Sequence, residues 1–294
     1  MKMTNNLNGF LVIDKPSNYT SRDVVNIVSK YFHTKKVGHT GTLDPLATGI
    51  LIITLGKYTK LTELVTNYDK EYIAQLTLGI QTDTYDIEGK IIKEKNASHI
   101  TKQEIKDCLN HFIGPQIQEV PIYSAVKVNG KKLYNYARNN EEVILPKKNI
   151  NIKNITLLSE PTQTNNKINF AIKCQVTKGT YIRSLVNDIG NYLSTGAIMT
   201  ALRRTKQGSF TLTDAYTLDE IIKGKYKILK IKDVIKDIQT IKIDNTNASK
   251  IKNGNIIENK YNTNMCLFID DQNNEIAIYQ TTQDKLYLKP YKML

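Results

Sequence analysis

Apolar positions follow two periods along this chain, and the changes between them mark out its elements. "GFLVID" (9–14) is a short apolar run with the length of a buried strand. "TSRDVVNIVSKYF" (20–32) switches to helical spacing, with Val24, Val28 and Tyr31 on one face. Thr20 and Asp23 supply a capping-box pattern at its start. "ILIITL" (50–55) predicts a second buried strand, and "EYIAQLTLG" (71–79) alternates as a half-buried one does. "TKQEIKDCLNHFIGP" (101–115) returns to the helical period. It opens on Thr101 and Glu104, keeps Ile105, Leu109 and Phe112 on one face, and stops at Gly114-Pro115.

Further strands are predicted over 150–158 and 167–177. "TYIRSLVNDIGNYLSTG" (180–196) is a second strong helix, with Ile182, Leu185, Val186, Ile189 and Leu193 apolar on one side and Gly196 as its stop. "TLDE" (217–220) opens another helix, and the lysine-rich stretch 221–240 reads as a connector. From about 241 the texture changes to short strands, "TIKID", "MCLFIDD" and "NEIAIYQ", between Asn/Asp/Gly turns, which predicts a small β-barrel module over 241–294. Residues 119–150 stand apart. Asn129-Gly130 is a hairpin signal, and Lys127, Lys131, Lys132, Arg138, Lys147 and Lys148 are interleaved with Tyr123, Tyr134 and Tyr136.

Composition turns this outline towards a partner. The 294 residues carry 41 Lys+Arg against 28 Asp+Glu, a formal net charge of +13. An excess of this size points to nucleic acid, or to no more than a Lys-, Asn- and Ile-rich composition. Cations among aromatics at 119–150 favour RNA, whose phosphates pair with Lys and Arg while unstacked bases lie on rings; a solvated hairpin with locally packed tyrosines would read the same. Cys108, Cys174 and Cys266 lie far apart, in neither disulfide nor metal spacing, and the four histidines are scattered, so no metal site is expected. No apolar run approaches the ~18 residues of a membrane span. The start, "MKMTNNLNGFLVIDKP", lacks the apolar core of a signal peptide, so a cytoplasmic location is expected.

One carboxylate is conspicuous in this basic chain. Asp44 lies in "KVGHTGTLDPLATGIL" (36–51), among Gly38, Gly41 and Gly49 and directly before Pro45. The stretch fits neither a P-loop, which needs a lysine after its last glycine, nor G-x-G-x-x-G. The glycines permit tight backbone turns and Pro45 biases Asp44 towards extended geometry, which together could present the acid at a cleft mouth. Taken alone, Asp44 could equally be a turn-former or a helix cap.

The loop resembles the signature of the TruB family of bacterial tRNA pseudouridine synthases. Further pieces follow in that family's order: "GFLVIDKP" with Thr20-Ser21, "KEY" (70–72), "GIQTDTYDIEG" (79–89), "VPIYSAVKVNGKKLYNYAR" (120–138), "KGTYIRSLVNDIG" (178–190) and "GAIMTALRR" (196–204). The match spans about 9–222. Ile122 stands where the family often has methionine, and Val176-Thr177 where "CSKGTY" is frequent.

The resemblance implies an α+β pseudouridine synthase fold, a mixed and mostly antiparallel sheet flanked by helices. It implies a catalytic domain over 1–235, a thumb at 119–150 and a PUA-like RNA-binding module at 241–294. It implies an isomerase acting on tRNA at the T stem-loop, converting the uridine at position 55 to pseudouridine without a cofactor, as a monomer. Asp44 would be the nucleophile, and Arg183 its ionic partner. An adjacent arginine favours the charged form of a carboxylate that burial would otherwise protonate. Tyr72 would stack on a flipped uracil, Tyr181 and Leu202 would line its pocket, and His39 would fill the vacated stack. Lys15 would build the cleft wall and contact substrate, and Lys127, Lys131 and Lys132 would grip phosphates. A non-catalytic RNA-binding or tRNA-folding protein would explain the charge but leave Asp44, Arg183 and Tyr72 unused. A synthase acting on another RNA would keep the chemistry and change the target.

Overall fold

The computed structural model describes residues 7–236 and 238–294; the first six residues of the expected catalytic domain, and of the expected leaderless start, lie outside them. Seven strands form the backbone of the main sheet: β1 (Gly9–Lys15), β2 (Thr48–Leu55), β3 (Lys70–Leu78), β4 (Gly114–Glu119), β5 (Lys147–Leu157), β6 (Lys167–Val176) and β7 (Ala197–Gln207). Their order is β1-β2-β7-β3-β6-β5-β4, with three short strands attached at its margins. All neighbours in this path are antiparallel except β2 and β7, so the sheet is mixed and mostly antiparallel as expected.

Three helices cover one face: α1 (Ser21–Tyr31), α2 (Lys102–His111) and α3 (Ile182–Tyr192). The capping boxes of α1 and α2 form as predicted, at Thr20/Asp23 and Thr101/Glu104. The apolar stripes predicted for the three helices meet the inward side chains of β1, β2, β3 and β7 in one core that includes Val24, Leu51, Leu76, Ile105, Leu185 and Met199. Alternation along β3 sends Lys70, Tyr72, Ala74, Leu76 and Leu78 to the same buried side.

Residues 120–146 project between β4 and β5. They hold the predicted hairpin, Lys127–Val128 with Lys131–Lys132, whose Asn129 and Gly130 both take left-handed backbone, and a short helix, Leu133–Arg138. The expected thumb boundary shifts here, because residues from Lys147 onward already belong to the sheet. Gly114-Pro115, expected only to stop α2, also begins β4.

Residues 239–294 carry a second sheet of β8 (Gln239–Lys242), β9 (Ile257–Glu258), β10 (Met265–Ile269), β11 (Glu275–Thr281) and β12 (Tyr287–Met293), ordered β8-β10-β11-β12-β9. Leu267 and Ile278 of this sheet share an apolar cluster with Phe10, Val12, Ile50 and Ile52, on the outer face of β1 and β2. The connector is no bare linker either: Ile231 and Val234 are buried in the same cluster. Tyr58 donates a hydrogen bond from its hydroxyl to Glu275 across this junction. No helix among the described residues is long and apolar enough to cross a membrane.

Candidate active site

The loop between the short strand Val37–His39 and β2 delivers Asp44 to a cavity of about 390 Å³. A set of hydrogen bonds holds that loop. Ser21 Oγ donates to Leu43 O at 3.1 Å and accepts from Leu43 N at 2.9 Å. Gln207 Nε2 reaches Thr40 O at 3.1 Å and Thr40 Oγ1 at 2.9 Å. Arg204 Nη2 donates to Gly41 O at 3.2 Å, and the backbone N–H of Asn18 to Pro45 O at 2.9 Å. The loop leaves through Gly49, at φ +99°, where a Cβ would stand 2.2 Å from the carbonyl oxygen of Arg204. Only glycine lets β2 and β7 approach this closely in their parallel register.

Arg183 meets Asp44 from the first turn of α3. Its Nε lies 2.9 Å from Asp44 Oδ2, while Nη1 donates to Thr84 O at 3.2 Å and Nη2 to Tyr123 O at 2.9 Å. Asp86 Oδ2 lies 3.6 Å from Nη1. The arginine side chain is 7% exposed and the Asp44 side chain 37%, so the cation is fixed inside the wall while the carboxylate faces the cavity. Tyr181 stands just before α3. Its backbone N–H and C=O both pair with the buried side chain of Gln118, at 2.8 and 3.0 Å. Burial is the main cause raising the Tyr181 phenol above its usual pKa.

Tyr72 and Leu202 complete the floor, both buried and both lining the cavity. The antiparallel register sets Arg204 opposite Tyr72 and Leu202 opposite Ala74, which brings Arg204 Nη1 to 3.5 Å from the Tyr72 hydroxyl. Asp44, Arg183, Tyr72, Tyr181 and Leu202, five of the expected site residues, are thus gathered around one cavity.

The other expected site residues lie elsewhere. Lys15 is fully buried behind the loop, not in the cavity lining; its ammonium donates to Pro16 O, Tyr19 O and Pro45 O, and burial brings its pKa down to about 8. It props the loop, and in this arrangement has no face towards a substrate. His39 is half-buried beside the loop, outside the cavity lining, and accepts from Gly41 N–H at 3.4 Å. Its pKa is lowered first by burial and then by Arg22 and Arg204, so the ring is neutral at pH 7. Lys127 is exposed on the thumb, Lys131 is paired with Glu141 at 2.6 Å, and Lys132 donates to the Tyr134 hydroxyl at 3.2 Å. Lys70, Gln118 and Arg204 are site residues that sequence reasoning did not single out. Lys70 and Arg204 lie within the quoted pieces "KEY" and "GAIMTALRR", but their positions depend on strand register.

The model of the TruB family pseudouridylate synthase N-terminal domain matches residues 29–182, which hold Asp44, Tyr72 and Tyr181. That of the tRNA pseudouridylate synthase B C-terminal domain matches 183–240, which hold Arg183, Leu202 and Arg204. The tRNA pseudouridine synthase B of Clostridium tetani is 44% identical over 256 residues, 86% of this chain and 87% of that one. That of Shouchella clausii is 39% identical over 285 residues, 94% of each. The fold resembles chains in the crystal structures of the archaeal box H/ACA sRNP Nop10–Cbf5 complex (TM-score 0.66, 19% identity, 97% of this chain and 85% of that one) and of a Cbf5–Nop10–Gar1 complex (TM-score 0.68, 21% identity, 97% and 84%). The fold and the family matches together are those of a pseudouridine synthase, an isomerase. The chain belongs to the TruB family.

Proposed function

We propose that this chain modifies tRNA, isomerising the T-loop uridine at position 55 to pseudouridine within the T stem-loop. The observation that carries this reading is Asp44, among the described residues the one acid lining the cavity, held at 2.9 Å by a nearly buried Arg183 and faced by Tyr72, Tyr181 and Leu202. The curated relatives bear the name tRNA pseudouridine synthase B.

A uracil inside a folded T loop cannot reach such a floor, so the nucleotide must flip out. Flipping costs a few kcal/mol, and stacking on a ring returns about 1–3 kcal/mol per base. Tyr72 supplies the ring, and Tyr181 with Leu202 supplies the apolar walls. Asp44 then acts as nucleophile, at the sugar or the base carbon, while Arg183 holds it oriented. The C1′–N1 bond breaks, the uracil turns, and a C1′–C5 bond forms; the bond that Asp44 made is broken again to free its carboxylate, C5 gives up a proton and N1 gains one, so all atoms are accounted for without a co-substrate. His39, uncharged, stands beside the loop where it can fill the stack the base leaves. The thumb closes on the T loop, and residues 241–294 add RNA contacts as a module of a cytoplasmic monomer.

Incubation with a T stem-loop RNA labelled in uridine, followed by nucleoside analysis, tests the reading. One pseudouridine per RNA, at the T-loop position, is expected. Tight binding without any product would favour an RNA-binding protein, and product only in another RNA would move the target.

A further inference from the structure

The cavity has a second pole that the isomerisation leaves unused. Lys70 and Arg204 both line it and are 8% and 1% exposed. Among the described residues no carboxylate is paired with either, and the one acid in the lining, Asp44, is taken by Arg183. Carbonyls hold them instead. Lys70 Nζ donates to Thr66 O at 2.7 Å and Tyr68 O at 2.6 Å, and Arg204 Nε to Ile50 O at 2.6 Å. A third cation, Lys178, stands exposed at the rim, tied only to the amide oxygen of Asn67 at 2.8 Å.

Burying a charge without a counter-charge is costly, and proteins normally pair such groups. Two buried cations and a third at the rim raise that cost by mutual repulsion. Burial and then Arg204 are the leading causes that bring the Lys70 pKa down to about 8, with Lys178 adding to them and only Asp69 opposing. Yet Asp69 is already engaged by Lys153. The loop passes close over this pole: a Cβ on Gly41 would stand 3.6 Å from Arg204 Nη1 and 3.8 Å from Lys70 Cε. A backbone without a side chain there leaves the approach open.

We propose that Lys70, Arg204 and Lys178 form a phosphodiester subsite that receives the RNA phosphate flanking the flipped uridine. The missing counter-charge is then the substrate's own. This rests on the reading that a uridine in RNA enters the Asp44 cavity, and it adds what holds the nucleotide at its backbone end. The phosphate relieves the repulsion among the three cations, favours the charged form of Lys70 and ties nucleotide position to the Asp44 loop through Gly41 O and Arg204.

The test uses the full chain and T stem-loop RNAs in which the phosphate 5′ or 3′ of the target uridine is replaced by a neutral methylphosphonate. One of the two replacements should weaken wild-type binding about ten- to a hundredfold, and weaken Lys70→Gln binding several-fold less, since Arg204 and Lys178 remain. Wild-type indifference to both, or equal losses in the variant, overturns the subsite. Should Lys70→Gln fail to fold, the wild type still decides. Phosphate binding favours protonated Lys70, so affinity for native RNA should fall as pH rises above about 8. The RNA with the critical linkage neutralised should lack that component. Lys15, whose pKa is also about 8, acts on both RNAs alike and cancels, as do Tyr68, Tyr72 and the other groups around Lys70. An identical pH dependence for both RNAs overturns the proposal. Pseudouridine formed in unmodified RNA without this coupling defeats the subsite alone; no pseudouridine formed at all defeats the functional reading, and the subsite with it.

Discussion

The Asp44 loop and the thumb are both irregular segments that border the same cavity, yet they are held in opposite ways. Within 40–47, Thr40, Leu43 and Ala47 are buried, and side chains from β1, α1 and β7 grip the loop backbone. Within 120–146 the apolar and polar side chains that are buried, Val120, Pro121, Ser124 and Leu133, sit near the root or under the short helix, and the thumb is tied mainly to itself. Leu133 N–H donates to Val126 O, Tyr136 hydroxyl to Val128 O, and the Lys131 ammonium lies over the Tyr136 ring at 4.7 Å. A reacting group must stay within a fraction of an ångström of its place, whereas a surface that grips RNA must adapt to it. Arg183 joins the two regimes, because one guanidinium holds both Asp44 and the thumb carbonyl of Tyr123.

That contrast can be broken at five points of decreasing effect. Asp44→Asn removes the reacting charge and nothing that grips phosphate. Single-turnover rates should fall at least about 10³-fold, with tRNA affinity within a few-fold; substantial turnover would remove Asp44 from the nucleophile's role. Arg183→Lys keeps the charge but cannot serve Asp44, Thr84 and Tyr123 together, so the rate should drop about ten- to a hundredfold. Hydrogen exchange at 120–126 should quicken in the same variant. Unchanged exchange there would mean that thumb and loop are independent. Ser21→Ala leaves both backbone groups of Leu43 without their buried partner, and urea unfolding should show a loss of about 1–3 kcal/mol. Lys127→Glu should weaken tRNA binding a few-fold and reduce the salt slope by roughly one contact. Lys131→Glu should do less than Lys127→Glu, since Glu141 already offsets Lys131; the reverse order would show that Lys131 leaves Glu141 for RNA.

Local chemistry made much of the fold legible. Thr20/Asp23, Thr101/Glu104 and Thr217/Glu220 announce three helix starts, and Asn129-Gly130 a hairpin, because caps and turns are decided within four residues. The strand alternation of "EYIAQLTLG" likewise forecast a buried side, though not that Lys70 would open it. What required the folded chain was register. Arg204 faces Tyr72 across 132 residues of sequence, and Gln118 pairs with Tyr181 across 63. Nothing near Lys70, Gln118 or Arg204 marks them as site residues, and Arg183 was tied to Asp44 only through the family resemblance. The connector misled for the opposite reason. The lysines of 221–240 lie outward and dominate its composition, while Ile231 and Val234 face the core singly.

The shared cluster of Phe10, Val12, Ile50 and Ile52 with Leu267 and Ile278 also bears on how the chain is made. β1 leaves the ribosome about 260 residues ahead of Leu267 and Ile278, which help to cover its outer face. At about 5–20 residues per second the interval is roughly 15–50 s. During that time a strongly apolar pair of strands has its inner face available to α1, while its outer face, which Tyr58, Leu61 and Val65 can reach early, still lacks Leu267 and Ile278. The outer face of β1 is therefore finished only once the second sheet has been made, and a factor that shields apolar surface would have a long opportunity on β1 and β2.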